Sequence, residues 1–314
     1  MTKGIVPLIP KKTLWERIKK DVQINHTFYV MLIPLLAFYL IFHYYPMYGA
    51  QIAFKNFSIG KGIEGSPWVG MKHFNQFFKS IYFERLLTNT LLINIYDIVL
   101  GFPLPIILAL LLNEVRSSGY KRTIQTVTYL PHFISTVVLC SLVREFTART
   151  GLINDIITMF GGERIVFLSK PEWYRTVFVG SGIWRECGWN SIIYMAALSA
   201  IDVEQYEAAR IDGANRLQQM WYITLPALLS TIVIMLIMRF GKIMNVGAEK
   251  TLLLYNPSTY KTADVIASYV YRKGIIDGNY SFSTAVGLFN SVINFIMLLS
   301  VNKISNKLTG SGLF

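Results

Sequence analysis

Residues 207–226 read EAARIDGANRLQQMWYITLP and form a polar stretch between two strongly apolar runs. The stretch opens with the strong helix formers of 207–210, and Asp212 and Gly213 then supply a turn at which the chain can reverse. A second short helix, predicted for 215–223, carries the chain back. We therefore predict a compact helix–turn–helix that interrupts the apolar regions of the chain.

The surface of this helix–turn–helix is unusually small. Ala208, Ala209 and Ala214 carry only a methyl group each, so a groove on a partner can approach the backbone closely. Pro226 can open the next apolar helix, because a proline in the first turn loses no needed hydrogen bond. The pattern favours a docking surface for a partner at the membrane face. The alternative is an ordinary loop between two helices.

Composition indicates a membrane protein with several spans. Of the 314 residues, 53% are hydrophobic, and the mean hydropathy is +0.42. A helix needs about 20 residues to cross a hydrocarbon core of roughly 30 Å. We predict an all-α polytopic membrane protein with six transmembrane helices, at 28–48, 86–112, 123–143, 178–198, 226–244 and 283–301.

These spans divide the chain into simple parts. The first span is too long for a signal peptide and has no small-residue cleavage site, so we expect a retained anchor. No soluble segment is large enough to fold alone. The expected parts are a cytoplasmic amphipathic tail at 1–27, the first transmembrane helix at 28–48, a transmembrane core at 82–302 containing the loop 199–225, and a cytoplasmic tail at 303–314.

The formal net charge of +12 comes from basic residues dispersed along the chain. Dispersed charge favours membrane lipid over nucleic acid as a partner. Near the amino terminus, five basic residues flank a helical face of four apolar ones, which predicts an interfacial amphipathic helix; a solvated basic tail is the alternative. The basic residues are Lys11, Lys12, Arg17, Lys19 and Lys20, and the apolar ones are Leu14, Trp15, Ile18 and Val22.

The short amino-terminal tail decides the predicted orientation. The totals of Lys and Arg do not separate the two sets of loops, but this tail carries six basic residues in 27, which favours a cytoplasmic amino terminus. Six spans then place both termini and the loop 199–225 in the cytoplasm. The opposite loops either dock an extracellular protein or cap the helix bundle. These outer loops are 49–85, 144–177 and 245–282.

The sequence lacks the patterns that catalysis needs. It has no glycine-rich phosphate-binding loop, no Ser/His/Asp order and no Asp-x-Asp pair, and no His or Cys spacing suits a metal. The two cysteines support no disulfide framework. We expect a protein that is not an enzyme and binds no metal. The histidines, which are isolated in the sequence, are His26, His43, His73 and His132.

Polar residues inside the spans mark a candidate pathway, because an ionisable group at membrane depth costs about 2.5–3.5 kcal/mol on insertion scales. In the fourth span, Glu186, Asn190 and Tyr194 follow an i, i+4, i+8 spacing that places them on one helical face. Carboxylate and amide groups beside aromatic rings suit sugars, and we add Trp184 and Arg185 to this set. The alternative is that Arg185 or Glu186 pairs with a neighbouring helix.

Two other spans contribute candidates. In the second span, Asn94 and Asp97 precede Gly101 and two prolines, which we expect to bend the helix and so make backbone groups available to a cavity. The sixth span carries Asn290, which either lines the pathway or bonds to another helix. We expect these three polar residues and the fourth-span set to form a substrate pathway.

Residues 203–225 resemble the signature of permease subunits of binding-protein-dependent ABC importers. In that family the loop docks into the ATP-hydrolysing subunit, so the resemblance implies ATPase coupling at the matching positions. Val203, Met220 and Ser230 depart from residues common in the family but leave the core of the signature intact. The matching positions are Glu207, Ala208, Ala209, Asp212, Gly213 and Ala214.

The likeness extends along nearly the whole chain to one subgroup, the permeases that import oligosaccharides, including uronides, into Gram-positive bacteria. It implies the type I ABC-importer permease fold in the cell membrane, with transport by alternating access. It also implies a second homologous permease subunit, two ATPase subunits that bind the ATP and Mg, and an extracellular sugar-binding lipoprotein; this chain would hold no cofactor. The stretches that carry the likeness are 42–49, 53–55, 66–70, 101–103, 110–115, 129–132, 183–186, 188–189, 253–257 and 284–289.

Two other functions fit part of the sequence. An importer of the same architecture for another solute, such as peptides, would share the loop, but the aromatic face of the fourth span favours sugar. An ion-coupled carrier without ATPase subunits would leave 203–225 unexplained. The resemblance to the uronide-importing subgroup implies an oligosaccharide with acidic character, and Arg185 is available at mid-depth to meet its carboxylate. The alternative is that Arg185 is salt-bridged to Glu186 or to the second permease.

Overall fold

A computed structural model describes residues 13–310 together with 312 and 313. These residues form helices joined by short turns and include only isolated β-bridges, such as the one between Lys55 and Trp68. The prediction of an all-α protein is confirmed. Contacts between residues divide the chain into two compact units, 1–51 and 52–314.

In the first unit, the described residues from 13 onward include three α-helices. Leu14 and Trp15 of its first helix are largely exposed, in keeping with an amphipathic surface helix. Lys11, Lys12 and the side chain of Arg17, which the sequence assigned to the same helix, lie outside what the structure describes. The helices are α1 (Leu14–Ile24), α2 (His26–Tyr39) and α3 (Tyr45–Met47), with a π-helical turn at Leu40–Tyr44 between the last two.

The second unit contains the remaining helices, several of which continue into the next through a π or 3-10 turn. In chain order they are α4 (Gly62–Gly65), α5 (Lys72–Phe78), α6 (Phe83–Tyr96), α7 (Pro103–Glu114), α8 (Ser118–Tyr129), α9 (Thr136–Phe146), α10 (Leu152–Met159), α11 (Pro171–Ser199), α12 (Val203–Ile211), α13 (Arg216–Gln219), α14 (Leu225–Phe240), α15 (Ala248–Leu254), α16 (Tyr260–Ala263), α17 (Ile266–Tyr271) and α18 (Tyr280–Thr309).

Most predicted spans correspond to long helical runs. Helix α11 has 29 residues, about 43 Å at 1.5 Å per residue, which is long enough for the fourth predicted span. Because it carries Arg185 and Glu186 among other polar residues, α11 is less apolar than the other long runs. Among the described residues, the helical runs that are long and apolar enough to cross a membrane are His26–Phe54, Phe83–Glu114, Arg216–Phe240 and Tyr280–Lys307.

The third predicted span, 123–143, is broken rather than straight. Helices α8 and α9 meet at 103°. Pro131 lies in the 3-10 turn that ends α8, and a proline cannot donate the hydrogen bond that would continue an α-helix. Ser135 is extended and caps α9, because its hydroxyl accepts a hydrogen bond from the Val138 amide. Together these residues place a bend where a straight helix is predicted.

Helix α11 contacts helices on several sides, among them α7, α8, α14 and α16. Its approach to α8 is close because Gly188 has no side chain: a Cβ there would lie 2.0 Å from the Thr128 carbonyl oxygen. Apolar residues of α9, α11 and α15 form one buried cluster around Leu139 and Tyr174. Several other helices of the second unit therefore pack against α11.

A buried carboxylate fixes the segment between α14 and α18. Asp264 is fully buried and accepts hydrogen bonds from Arg85 at 2.9 Å and from Arg272 at 2.7 and 2.8 Å. Asn89 of α6 donates to the Asp264 carbonyl oxygen, and its own side-chain oxygen accepts from Arg175 of α11. Paired charges of this kind tolerate burial. The network ties the segment that contains α15 to both α6 and α11.

Candidate functional site

A cavity of about 920 Å³ lies among the helices of the second unit. Its volume falls within the range of small-molecule sites, roughly 300–1,000 Å³. The run from α6 to α7, the middle of α11, the end of α14 and the start of α15 form its walls. The polar lining residues are Asn94, Asp97, Arg185, Glu186, Asn190, Tyr194, Arg239, Lys242, Asn245 and Lys250, and the aromatic ones include Phe102, Phe178 and Trp189.

The structure places six of the eight predicted pathway residues on this cavity: Asn94, Asp97, Arg185, Glu186, Asn190 and Tyr194. Trp184 lies elsewhere, in an apolar groove of about 470 Å³ that Phe146 and Trp173 also line. Trp184 precedes Glu186 by two residues, which is a rotation of about 200° around the helix axis. The two side chains therefore lie on different faces of α11. Asn290 is not among the lining residues, but it donates a 2.9 Å hydrogen bond to the side-chain oxygen of Asn245, which is.

Glu186 is held from two sides. One carboxylate oxygen lies 2.9 Å from Nδ1 of His132, and the other lies 3.4 Å from Nε of Arg185. Arg185 in turn donates to the Thr136 hydroxyl at 3.2 Å. His132 also stacks on Trp189, with ring centroids 4.3 Å apart. The alternative that Glu186 pairs with a neighbouring helix therefore holds in this structure, while the residue still lines the cavity.

Asp97 and Arg239 form an ion pair between α6 and α14. Asp97 begins a π-helical turn that ends at Gly101, and the Phe102 amide bonds to the Asp97 carbonyl oxygen. Gly101 leaves room for the Asp97 carboxylate, because a Cβ at 101 would lie 2.7 Å from it. Such π turns often occur at functional sites. The predicted bend near Gly101 thus takes the form of a π turn that leaves room for a charged pair.

Lys250 of α15 also lines the cavity. Its ammonium donates to the Phe178 carbonyl oxygen at 2.6 Å and lies 4.4 Å above the Phe178 ring. Gly182, one turn further along α11, leaves space for it, because a Cβ there would be 3.2 Å from the Lys250 nitrogen. Burial lowers the pKa of this lysine to about 8. The ammonium is therefore poorly solvated and lies within 4 Å of no carboxylate among the described residues.

The charges that line the cavity are unequal. Four side chains are basic and two are acidic, so the lining has an excess of positive charge. Both acids are engaged, Glu186 by Arg185 and His132 and Asp97 by Arg239. A low-dielectric cavity of one sign concentrates ligands of the opposite sign.

The predicted helix–turn–helix is present. Helix α12 ends at a left-handed glycine, Gly213 with φ of 78°, and the Ala214 amide bonds back to the Ala209 carbonyl oxygen at 2.8 Å. Asn215 then caps α13 through a reciprocal capping box with Gln218. The turn has the glycine-dependent geometry that the Asp-Gly pair predicts.

The second half of the motif differs from the prediction. Helix α13 is not a separate short helix, because Arg216–Phe240 forms one helical run through a π turn at Met220–Thr224. The Tyr206 hydroxyl lies 3.0 Å from that of Thr224 and joins α12 to this run. One continuous helical run therefore extends from the loop to Arg239, which lines the cavity.

The loop presents an apolar surface between its helices. Glu207, Ala208, Asp212 and Gly213 are exposed, whereas Ala209 and Ala214 are half-buried. Large apolar side chains flank them with exposed fractions of 60% or more, a pattern that marks interaction surfaces. These side chains are Val203, Ile211, Leu217, Trp221 and Tyr222.

Several residues of the site, among them Lys242 and Asn245, were not predicted from the sequence. His132 is isolated in the sequence, but the bend after Pro131 brings it to Glu186. Arg239 and Lys250 lie at the end of one predicted span and in an outer loop, and neither position signals a cavity. Asp97 is a carboxylate inside a predicted span and so needs a basic partner. That need was the one signal in the sequence that could have suggested its contact with Arg239.

Comparison with known proteins identifies the family. Residues 101–310 match the family described as the binding-protein-dependent transport system inner membrane component, and the chain belongs to that family. Protein LplB of Bacillus subtilis (strain 168) is 48% identical over 91% of this chain and 90% of its own length. The polygalacturonan/rhamnogalacturonan transport system permease protein YteP of the same organism is 44% identical, over 91% and 89% respectively.

Solved structures agree with the fold. A bacterial alginate ABC transporter, crystallised with a periplasmic protein that carries an alginate pentasaccharide, includes a chain 41% identical to this one. The match covers 96% of this chain and all of the other, with a TM-score of 0.86. The protein therefore has the type I ABC-importer permease fold and is a transport subunit of the membrane rather than an enzyme.

Proposed function

We propose that the protein is one half of an importer that carries an oligosaccharide through the cavity of the second unit. The observation that carries this proposal is the mixed lining of that cavity, in which charged and amide groups stand beside Trp189 and Phe178. Hydroxyl groups bond to carboxylates, amides and ammonium groups, and sugar rings stack on aromatic faces. The names of the relatives, which refer to polygalacturonan and alginate, support a sugar.

The sugar is acidic. The cavity has more basic than acidic side chains, and both acids are already paired. A uronate carboxylate entering this lining meets a favourable potential, whereas a neutral sugar gains only hydrogen bonds. A related bacterial ABC transporter of known structure is involved in the import of alginate, an acidic polysaccharide, which agrees with this charge.

The permease works in an assembly. A second, homologous permease completes the membrane core, two ATPase subunits bind ATP and Mg, and an extracellular sugar-binding lipoprotein delivers the substrate. This chain holds no cofactor of its own. Both termini and the loop 199–225 face the cytoplasm of a bacterial cell, so the exposed apolar surface of that loop meets the ATPase.

Coupling passes from the loop to the cavity along one helical run. The left-handed turn at Gly213 and the contact between Tyr206 and Thr224 make the loop a rigid unit. Closure of the two ATPase subunits displaces that unit, and α14 transmits the displacement to Arg239. The two permease halves then alternate between two conformational states. Ligands bound on the two faces of the membrane shift the equilibrium between these states.

The test is ATPase stimulation by a reconstituted complex in proteoliposomes with the cognate lipoprotein. Three ligands are compared: an oligogalacturonate, its carboxyl-reduced counterpart and a peptide of similar size. Stronger stimulation by the oligogalacturonate supports the full proposal. Equal stimulation by the two sugars removes only the acidic part, and stimulation by the peptide alone overturns the sugar.

A further inference from the structure

The basic residues of the cavity differ in whether a carboxylate already neutralises them. Arg185 lies 3.4 Å from Glu186, and Arg239 is paired with Asp97. Within the part of the chain that the structure describes, Lys250 donates only to a carbonyl oxygen, that of Phe178. Lys242 also lines the cavity but is exposed, with no such niche around it.

The niche around Lys250 is built by three features. The Phe178 carbonyl oxygen and ring fix the ammonium at 2.6 and 4.4 Å, and Gly182 supplies the space that it occupies. The network of Asp264 holds the segment that carries α15 against α6 and α11. Because these partners fix the side chain before any ligand arrives, little rotamer entropy remains to be lost on binding.

We infer that Lys250 is the specificity-determining cation of this pathway and forms the subsite that binds a carboxylate of the substrate. This inference rests on the proposed function, an importer of oligosaccharides. An ammonium has three hydrogen-bond donors, and Phe178 takes only one of them, so two remain for a ligand. A uronate carboxylate is the anionic group of the proposed substrate that matches these donors.

The electrostatic reason lies in the surroundings of the ammonium. Burial disfavours the charged form, as the lowered pKa of Lys250 indicates, and a carboxylate that arrives in the niche restores it. Charge-assisted hydrogen bonds are shorter and stronger than neutral ones. A neutral hydroxyl in the same place gains no such term. Loss of the ammonium should therefore weaken the use of an acidic sugar by roughly tenfold to a hundredfold and leave a neutral sugar little changed.

The experiment compares Lys250→Met with Lys242→Met in the full reconstituted complex with its lipoprotein. The concentration of sugar that half-maximally stimulates the ATPase is measured for an oligogalacturonate and for its carboxyl-reduced form. Lys250→Met should raise that concentration for the acidic sugar alone. Lys242→Met removes the same charge from the same cavity outside the niche and should retain most of the preference for the acidic sugar.

A second variant guards against a failure of Lys250→Met to assemble. Gly182→Ala keeps the lysine but places a methyl group 3.2 Å from its nitrogen, so it should reduce the preference for the acidic sugar as well. If both variants retain the wild-type preference, or lose both sugars equally, the role of Lys250 is wrong. If the wild-type complex responds to neither sugar, the proposed function itself fails, which is a different outcome.

Discussion

Asp97 and Arg239 form an ion pair that joins the π turn of the second predicted span to the end of α14, the helix that continues from the loop 199–225. The pair lines the central cavity, with its side chains partly exposed. It therefore connects the element that we propose docks the ATPase with the cavity that we propose carries the sugar.

Breaking this pair should impair transport. Asp97→Asn leaves the Arg239 guanidinium unpaired near membrane depth. Loss of one partner of a fully buried pair costs about 3–5 kcal/mol, and partial exposure reduces that cost here to roughly 1–2 kcal/mol. We expect a lower unfolding temperature of the purified complex and slower uptake. The reversed pair, Asp97→Arg with Arg239→Asp, should recover part of both losses, and no recovery would show that the pair does not act as a unit.

Gly188→Ala should disrupt the crossing of α8 and α11. The added Cβ would lie 2.0 Å from the Thr128 carbonyl oxygen, so the helices must separate. Overpacking of this kind costs about 1–3 kcal/mol. Gly180→Ala, in the same helix, is the matched control because nothing lies within 4 Å of its added Cβ. Thermal unfolding of the two variants in detergent checks the prediction, and equal midpoints would contradict the close approach.

Gly213→Val should uncouple the loop. Its φ of 78° lies in the left-handed region, which costs a non-glycine residue about 1–2 kcal/mol and a β-branched one more. We expect uptake to fall at least about tenfold, with the cavity unaffected. Gly119→Val, at the first turn of α8 with open space around it, is the control. Normal uptake by Gly213→Val, together with full binding and stimulation of the ATPase, would end this idea.

Glu186 and Trp184 should behave differently despite their proximity in sequence. Glu186→Gln keeps the shape but weakens the contacts to His132 and Arg185, so substrate stimulation should fall by roughly an order of magnitude while basal ATPase activity persists. Trp184→Ala changes the separate groove and should leave stimulation within about twofold. Equal effects of the two substitutions on stimulation would place both residues in one functional face and contradict the separation of the groove from the cavity.

The sequence predicted some features because they depend on local chemistry. The helical runs follow from apolar length, and the turn at Gly213 follows from an Asp-Gly pair that ends a helix. The i, i+4, i+8 stripe from Glu186 to Tyr194 shares the cavity because helical spacing fixes which residues share a face. The same rule excludes Trp184, which a strict count of residues per turn would have separated from Glu186.

Other features depend on contacts between distant segments. The meeting of Glu186 with His132 requires the 103° bend between α8 and α9, and the angle of such a bend is set by packing rather than by Pro131 alone. Lys250 comes from the segment between α14 and α18, whose place is fixed by Asp264 and two arginines far apart in the chain. The spacing of residues within one segment does not predict contacts between segments that are distant in the chain.

The central claim is that the assembled complex moves an acidic oligosaccharide inward at the expense of ATP. The most direct measurement is uptake of a labelled oligogalacturonate into proteoliposomes that contain the complex, with lipoprotein outside and ATP supplied to the ATPase face. We expect accumulation that requires ATP and the lipoprotein and that Gly213→Val abolishes. Uptake that proceeds without ATP, or a complex that accumulates a peptide but no sugar, would contradict this claim.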